Sequence, residues 1–191
     1  DGEVSGVYRV TNPTSATPGL SSPVFYTTET DVDSVGELFV VNDGSERLLV
    51  SVKTEATGAE YVLYYSDNGS SFAVVPGTDG ANASASAWTD AASDGTQSVY
   101  LSSTKALVDL AGIGAGDDAQ TFAAAGGRNE PGKDGAAAFR AAHYDGSTLW
   151  LSDNTGHLYS TTDFGGSWAR NASAYTYDVD PDEAIAFTDF A

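Results

Sequence analysis

Leu149-Trp150-Leu151-Ser152-Asp153-Asn154-Thr155-Gly156-His157-Leu158-Tyr159-Ser160 runs straight into Thr161-Thr162-Asp163-Phe164-Gly165-Gly166-Ser167-Trp168. The first part reads as two short strands joined by a tight turn at Asp153 to Gly156. A second turn follows, centred on Asp163 to Gly166. An aspartate in such a turn accepts hydrogen bonds from backbone N–H groups of its own loop. Gly165 and Gly166 supply positive φ at little cost. Trp168 then re-enters the apolar layer and anchors the turn to it.

A second copy of this plan lies upstream. Tyr61-Val62-Leu63-Tyr64-Tyr65 is a strand that leads into Ser66-Asp67-Asn68-Gly69-Ser70-Ser71-Phe72. Aligned on the aspartates, Tyr65, Asp67, Gly69 and Phe72 correspond to Thr161, Asp163, Gly165 and Trp168. Tyr65 departs from the hydroxyl residue at the first position. The step between the two aspartates equals two units of roughly 48 residues, a period of propeller-blade size.

The pattern Ser/Thr-x-Asp-x-Gly-x-x-Trp/Phe resembles the Asp-box, or bacterial neuraminidase repeat. That resemblance implies an all-β fold: a β-propeller of about four antiparallel four-stranded blades, or part of a larger ring. It places the Asp-box turns on the outer rim, where they are structural and not catalytic. The expected organisation is a single domain over 1–191. Its units are 36–76, 88–124, 138–175 and a fourth shared between 184–191 and 4–30. In the middle unit Thr104 to Leu110 reads as helix-compatible, and Asp117 to Phe122 as the worn remnant of a box. Pro13 to Pro23 and Gly126 to Gly135 read as loops. Gly6 to Val10 and Val24 to Thr27 read as outer strands of the fourth unit, closed by Ala184 to Thr188.

Charge narrows the partners. The chain of 191 residues carries 27 acids against 8 Lys and Arg, a formal net charge of -19. Hydrophobic residues make up 41%, with 3 Trp, 10 Tyr and 8 Phe, so the chain can bury a core and is not of disordered composition. The acids are dispersed, not gathered in a tail. Dispersed acid with few lysines suits molar salt, where the Debye length falls to about 3 Å and self-repulsion is screened. The expected source is a halophilic organism or its virus. The sequence has no basic stripe to neutralise phosphates and its summed field would repel them, so no nucleic-acid partner is expected, and anionic membrane surfaces are disfavoured alike. No apolar run reaches the roughly 18 residues of a membrane span, so no membrane insertion is expected. Cysteine is absent, which removes disulfides and thiolate chemistry.

Candidate chemistry is sparse. Tyr8-Arg9-Val10 resembles the Phe/Tyr-Arg-Ile-Pro strand of sialidases but has Thr11 at the fourth position. Those enzymes imply three arginines converging on a carboxylate, with a Tyr–Glu pair and an acidic proton donor. Only Arg9, Arg47, Arg128, Arg140 and Arg170 are on offer. A six-bladed ring would also need more chain. His143 and His157 fall in expected strands without metal-ligand company, and no Gly-x-Ser-x-Gly elbow is present. No catalytic residue is assigned. Asp178, Asp180 and Asp182 form an acidic loop whose hard oxygens suit Ca²⁺ or Mg²⁺, with Ca²⁺ the cofactor expected if any. Asn68, Asn82 and Asn171 head glycosylation triplets.

The function expected is a non-catalytic extracellular recognition or structural module, a cell-surface, pilus-like or virion tail/spike component. It would bind protein or glycan and could form a homo-oligomer. A sialidase-like glycoside hydrolase, or a fragment of one, is the first alternative. The second is a protein-binding assembly factor, similar to the Asp-box propellers of photosystem assembly.

Overall fold

Short β-branched and aromatic runs, punctuated by Asp-Gly and Ser-rich turns, fold as antiparallel hairpins. The computed structural model describes residues 7–8, 10–11, 13–17, 19–20, 32–42, 45–54, 60–110, 112–114, 119–121, 139–153, 157–164 and 167–171. Strands β1 (Val10–Thr11) and β2 (Gly19–Leu20) pair as a small hairpin, and β2 lies inside the segment expected to be a loop. The first large sheet holds β3 (Val32–Asn42), β4 (Glu46–Thr54), β5 (Tyr61–Ser66) and β6 (Ala73–Val74). The second holds β7 (Trp88–Ser93), β8 (Ser98–Ser102), β9 (Ala106–Asp109) and β10 (Ala119–Thr121). The third holds β11 (Phe139–Tyr144), β12 (Leu149–Asp153), β13 (Leu158–Thr161) and β14 (Ala169–Asn171). Each is a four-stranded antiparallel meander in chain order. Among the described residues there is no α-helix, only a 3₁₀ turn at Gly80–Asn82.

The first hairpins of the second and third sheets turn on equivalent residues. Asp-Gly-Ser/Thr recurs from 43 to 94 to 145, an unchanging step of 51 residues. Asp94 Oδ1 accepts from the N–H groups of Thr96 and Gln97, both at 2.7 Å. Asp145 Oδ1 accepts from Ser147 N at 2.9 Å and Thr148 N at 2.8 Å. The following Gly95 and Gly146 sit at φ 89° and 96°, a region that side chains disfavour. Asp43 and Gly44 lie outside the described residues.

The sheets stack through alternate faces. Val41, Leu49 and Leu63 of the first sheet meet Trp88, Ala91, Tyr100 and Leu107 of the second in one apolar cluster. The opposite face of the second sheet, Ala92, Val99, Leu101 and Ala106, meets Ala142, Leu149, Leu151 and Tyr159 of the third. Ala142, Leu151 and Tyr159 thus stand in the third sheet where Ala91, Tyr100 and Leu107 stand in the second. A third cluster, Val7 with Val50 and Val52, covers the far side of the first sheet. Trp88 is fully buried, and its indole N–H donates to the Tyr61 carbonyl at 3.0 Å, tying the second sheet to the first.

Two local expectations are corrected. Ala106–Asp109 is a strand, not a helix-compatible segment. All four of its residues are buried, so neighbouring sheets on both faces override propensity. Ala119–Thr121 within the supposed box remnant is the fourth strand, β10, paired with β9. The chain turns earlier, directly after Asp109. Val24 to Thr27, Gly126 to Gly135 and Ala184 to Thr188 lie outside the described residues.

Candidate functional site

The turn after β13 is held by its aspartate. Asp163 Oδ1 accepts from the Thr161 hydroxyl at 2.6 Å and from Ser167 N at 2.9 Å, and Oδ2 accepts from the Ser167 hydroxyl at 2.8 Å. Phe164 takes the left-handed conformation, φ 48°, and is buried. Its ring lies 5.5 Å from that of Tyr144. Trp168 packs half-buried against the cluster of the second and third sheets. Gly165 lies outside the described residues.

The upstream turn uses a different frame from the one aligned on aspartate. Ser66 Oγ accepts from Gly69 N at 2.9 Å, and Asn68 Oδ1 accepts from Ser70 N at 2.8 Å and Ser71 N at 3.1 Å. Ser66 therefore stands where Thr161 does, and Asn68 where Asp163 does. Strand register explains the shift. Ser66 is the last paired residue of β5, opposite Leu48, as Thr161 is the last of β13, opposite Leu149. The turn is one residue shorter, and an amide oxygen replaces a carboxylate. Asp67 is exposed and pairs with Arg47 Nε at 3.2 Å. The Arg47 guanidinium carbon lies over the Tyr65 ring, 5.8 Å from the ring centroid, and the Tyr65 hydroxyl fills the space a Cβ on Gly114 would need. Phe72 packs half-buried on the cluster of Val50 and Val52.

The other expected positions are scattered. Asn68 is exposed, and its amide N–H donates to Ser71 Oγ at 3.4 Å. Asn82 ends the 3₁₀ turn, with its backbone N–H on the Asp79 carbonyl. Asn171 ends β14. Asp178, Asp180 and Asp182 lie outside the described residues, as do Arg9 and Arg128. Arg47 also donates to the Ile113 carbonyl, linking the first sheet to the loop after β9. Arg140 is exposed on β11 at a register shift, and Arg170 on β14 meets His157 Nε2. Arg47 thus belongs to the first sheet, and Arg140 and Arg170 to opposite edge strands of the third.

One network was not anticipated. Asp153, fully buried at the end of β12, accepts from His157 N at 3.0 Å and the Tyr159 hydroxyl at 3.1 Å, and meets His157 Nδ1 at 3.2 Å. With Arg170 on the far side of the imidazole, it ties β12, β13 and β14 together. Tyr100 and Asp109 make a second buried pair at 3.1 Å. Burial, and then the Asp109 carboxylate, push the Tyr100 hydroxyl well above the usual phenol range.

A cleft of about 260 Å³ opens where the first strands of the three sheets end. Asn42 of β3, Asp90 and Ser93 of β7, and His143 and Tyr144 of β11 line it, with Val40 and small alanines between. Asp90 bridges two strands: Oδ1 accepts from Ala91 N and Oδ2 from Ala142 N, each at 2.8 Å. Ser93 Oγ donates to the Gln97 carbonyl at 2.8 Å and accepts from Gly95 N at 3.1 Å. Asp94 and Asp145 flank the cleft on the adjoining turns. The Trp150 indole N–H, then the Thr148 and Ser147 amides, hold Asp145 well below the usual carboxylate range, so it stays charged at neutral pH. The lining, among the described residues, contains no lysine or arginine.

No protein-family model matches the chain, and no curated protein matches it.

Proposed function

We propose that the chain is a non-catalytic recognition or structural module. In this reading the sheets are blades of a β-propeller, and the cleft at their inner strands is its binding face. Three equivalent four-stranded meanders, stacked in order through the same residue positions, support the architecture. A fourth unit assembled from 184–191 and 4–30 would complete it, and Val7 packing on Val50 and Val52 favours that side. The observation that carries the function is the use made of acids. Asp90, Asp94, Asp145, Asp153 and Asp163 each accept backbone N–H donors, so these carboxylates brace turns and strands. Arg47 on the first sheet and Arg140 and Arg170 on opposite edges of the third weigh against a three-arginine clamp. The test is direct. The intact chain should capture glycans or surface proteins in array and pull-down experiments without consuming them. Measurable turnover of sialosides or other glycosides would reject the proposal.

The setting proposed is extracellular, on a cell surface or virion in high salt. No helix among the described residues is long and apolar enough to cross a membrane. A net charge of -19 repels itself in dilute buffer, and the repulsion is screened as the Debye length shortens. Melting temperature should therefore rise steeply as potassium chloride is raised from about 0.1 M to about 1 M. Unfolding that ignores salt would remove the high-salt assignment.

A further inference from the structure

The cleft is walled by strand edges. Sheet order leaves β3, β7 and β11 each at one edge of its sheet. Successive residues line the cleft: Val40 to Asn42, Asp90 to Ser93 and Ala142 to Tyr144. Side chains of successive strand residues point to opposite faces, so a wall built this way is the backbone edge itself. A strand edge offers main-chain donors and acceptors in alternation. Asp90 meets two of those donors, the N–H groups of Ala91 and Ala142, and draws β7 and β11 together.

A ligand for such a wall must donate and accept at closely spaced points. Vicinal hydroxyls do both. Tyr144 lines the cleft half-buried, with its ring packed beside Phe164, and an aromatic residue in the wall suits the C–H face of a pyranose. Asn42 and His143 are exposed beside it and add polar contacts. A volume of about 260 Å³ falls just below the roughly 300–1,000 Å³ of drug-sized pockets, which favours a single ring over an extended peptide. The sign of the field excludes anionic sugars. Asp90 lies in the cleft, Asp94 and Asp145 flank it, and the whole chain is strongly negative. The Asp90 carboxylate is spread over two amide donors, so it suits hydroxyl groups better than it suits a bare cation. We infer that the cleft between the edges of β3, β7 and β11 binds one neutral sugar residue. This inference rests on the recognition reading above and names the ligand class for that site.

The experiment titrates the ¹⁵N-labelled chain with the methyl glycosides of glucose, galactose and mannose. N-acetylneuraminic acid is the anionic arm, and an arginine-containing tripeptide the cationic arm. At least one neutral glycoside should give saturable amide shifts at Asn42, Ala91 to Ser93 and His143 to Tyr144, with millimolar affinity and no hydrolysis. Asn42→Ala and His143→Ala should each weaken that binding about fivefold, the scale of one lost hydrogen bond. Both residues are exposed, so unchanged amide positions elsewhere will show that the fold is kept. Absence of saturable shifts with all three neutral glycosides overturns the inference, as does preferential binding of the anion or the peptide in the cleft. Sugar capture on another face also overturns it while leaving the recognition reading intact. Hydrolysis of a bound glycoside sinks the recognition reading and leaves the ligand class standing.

Discussion

Trp88→Ala should lower folding stability by about 4 kcal/mol, within the range found for buried aromatic truncations. Trp88 is fully buried between the first and second sheets, among Val41, Leu49, Leu63 and Tyr100. Truncation empties the largest single volume at that contact. It also removes the indole donor from the Tyr61 carbonyl, which keeps the Ser84 N–H at 3.0 Å. The main-chain N–H of residue 88 still reaches Ser51 Oγ, so the loss is mainly packing. For a domain stable by about 5–15 kcal/mol, this is a large fraction of the whole. Trp88→Phe keeps most of the volume and should cost about 1–2 kcal/mol. Urea unfolding would show the midpoint falling in that order. Because Trp88 joins two sheets, hydrogen-exchange protection in β4 and β5 should fall together with that in β7 and β8. Loss confined to β7 and β8 would mean that the sheets unfold independently, and the stacked arrangement would lose its energetic basis.

The parts of this fold that could be read from residues are those set by local chemistry. Asp94-Gly95 and Asp145-Gly146 announce hairpins because the carboxylate and the positive φ belong to the turn itself. The unbroken 51-residue recurrence of Asp-Gly-Ser/Thr was the stronger repeat signal, and it marks the hairpins that flank the cleft. The Asp-box spacing drew attention to the turns between the third and fourth strands, at the same end of each sheet but toward its other edge. Ala106–Asp109 was opaque for a physical reason: burial on both faces erases alternation. The frame of the upstream box was ambiguous because Tyr65-Ser66-Asp67-Asn68 offers two side-chain acceptors one residue apart. Only strand pairing shows that Ser66 and Asn68 hold the turn. The cleft was illegible as well. It depends on how the edges of three strands far apart in sequence converge, and no residue type marks a strand as an edge.

The Asp153 network shows what that kind of convergence costs to break. Asp153→Ala should destabilise the chain by about 3–5 kcal/mol, the scale for removing one partner of a buried polar cluster. The carboxylate is fully buried and takes the His157 backbone N–H and the Tyr159 hydroxyl, while His157 Nδ1 lies 3.2 Å away. All three partners lose this acceptor together, in a place where water does not replace it. Asp153→Asn should be milder, since the amide oxygen still accepts from the backbone, but its NH₂ faces Nδ1 and the phenol, which must both reorganise. The carboxylate also sets the imidazole. A proton on Nδ1 directed at Asp153 leaves the Nε2 lone pair for the Arg170 guanidinium on β14. Long-range ¹H–¹⁵N spectra should therefore report His157 as the Nδ1–H tautomer in the native chain and a mixture in Asp153→Ala. Arg170→Ala should leave the tautomer unchanged while loosening β14, read as faster exchange of the β14 amides. If Asp153→Ala melts with the native chain, or if its His157 keeps the native tautomer, the carboxylate does not organise the outer half of the third sheet, and the tie between β12, β13 and β14 must come from strand pairing alone.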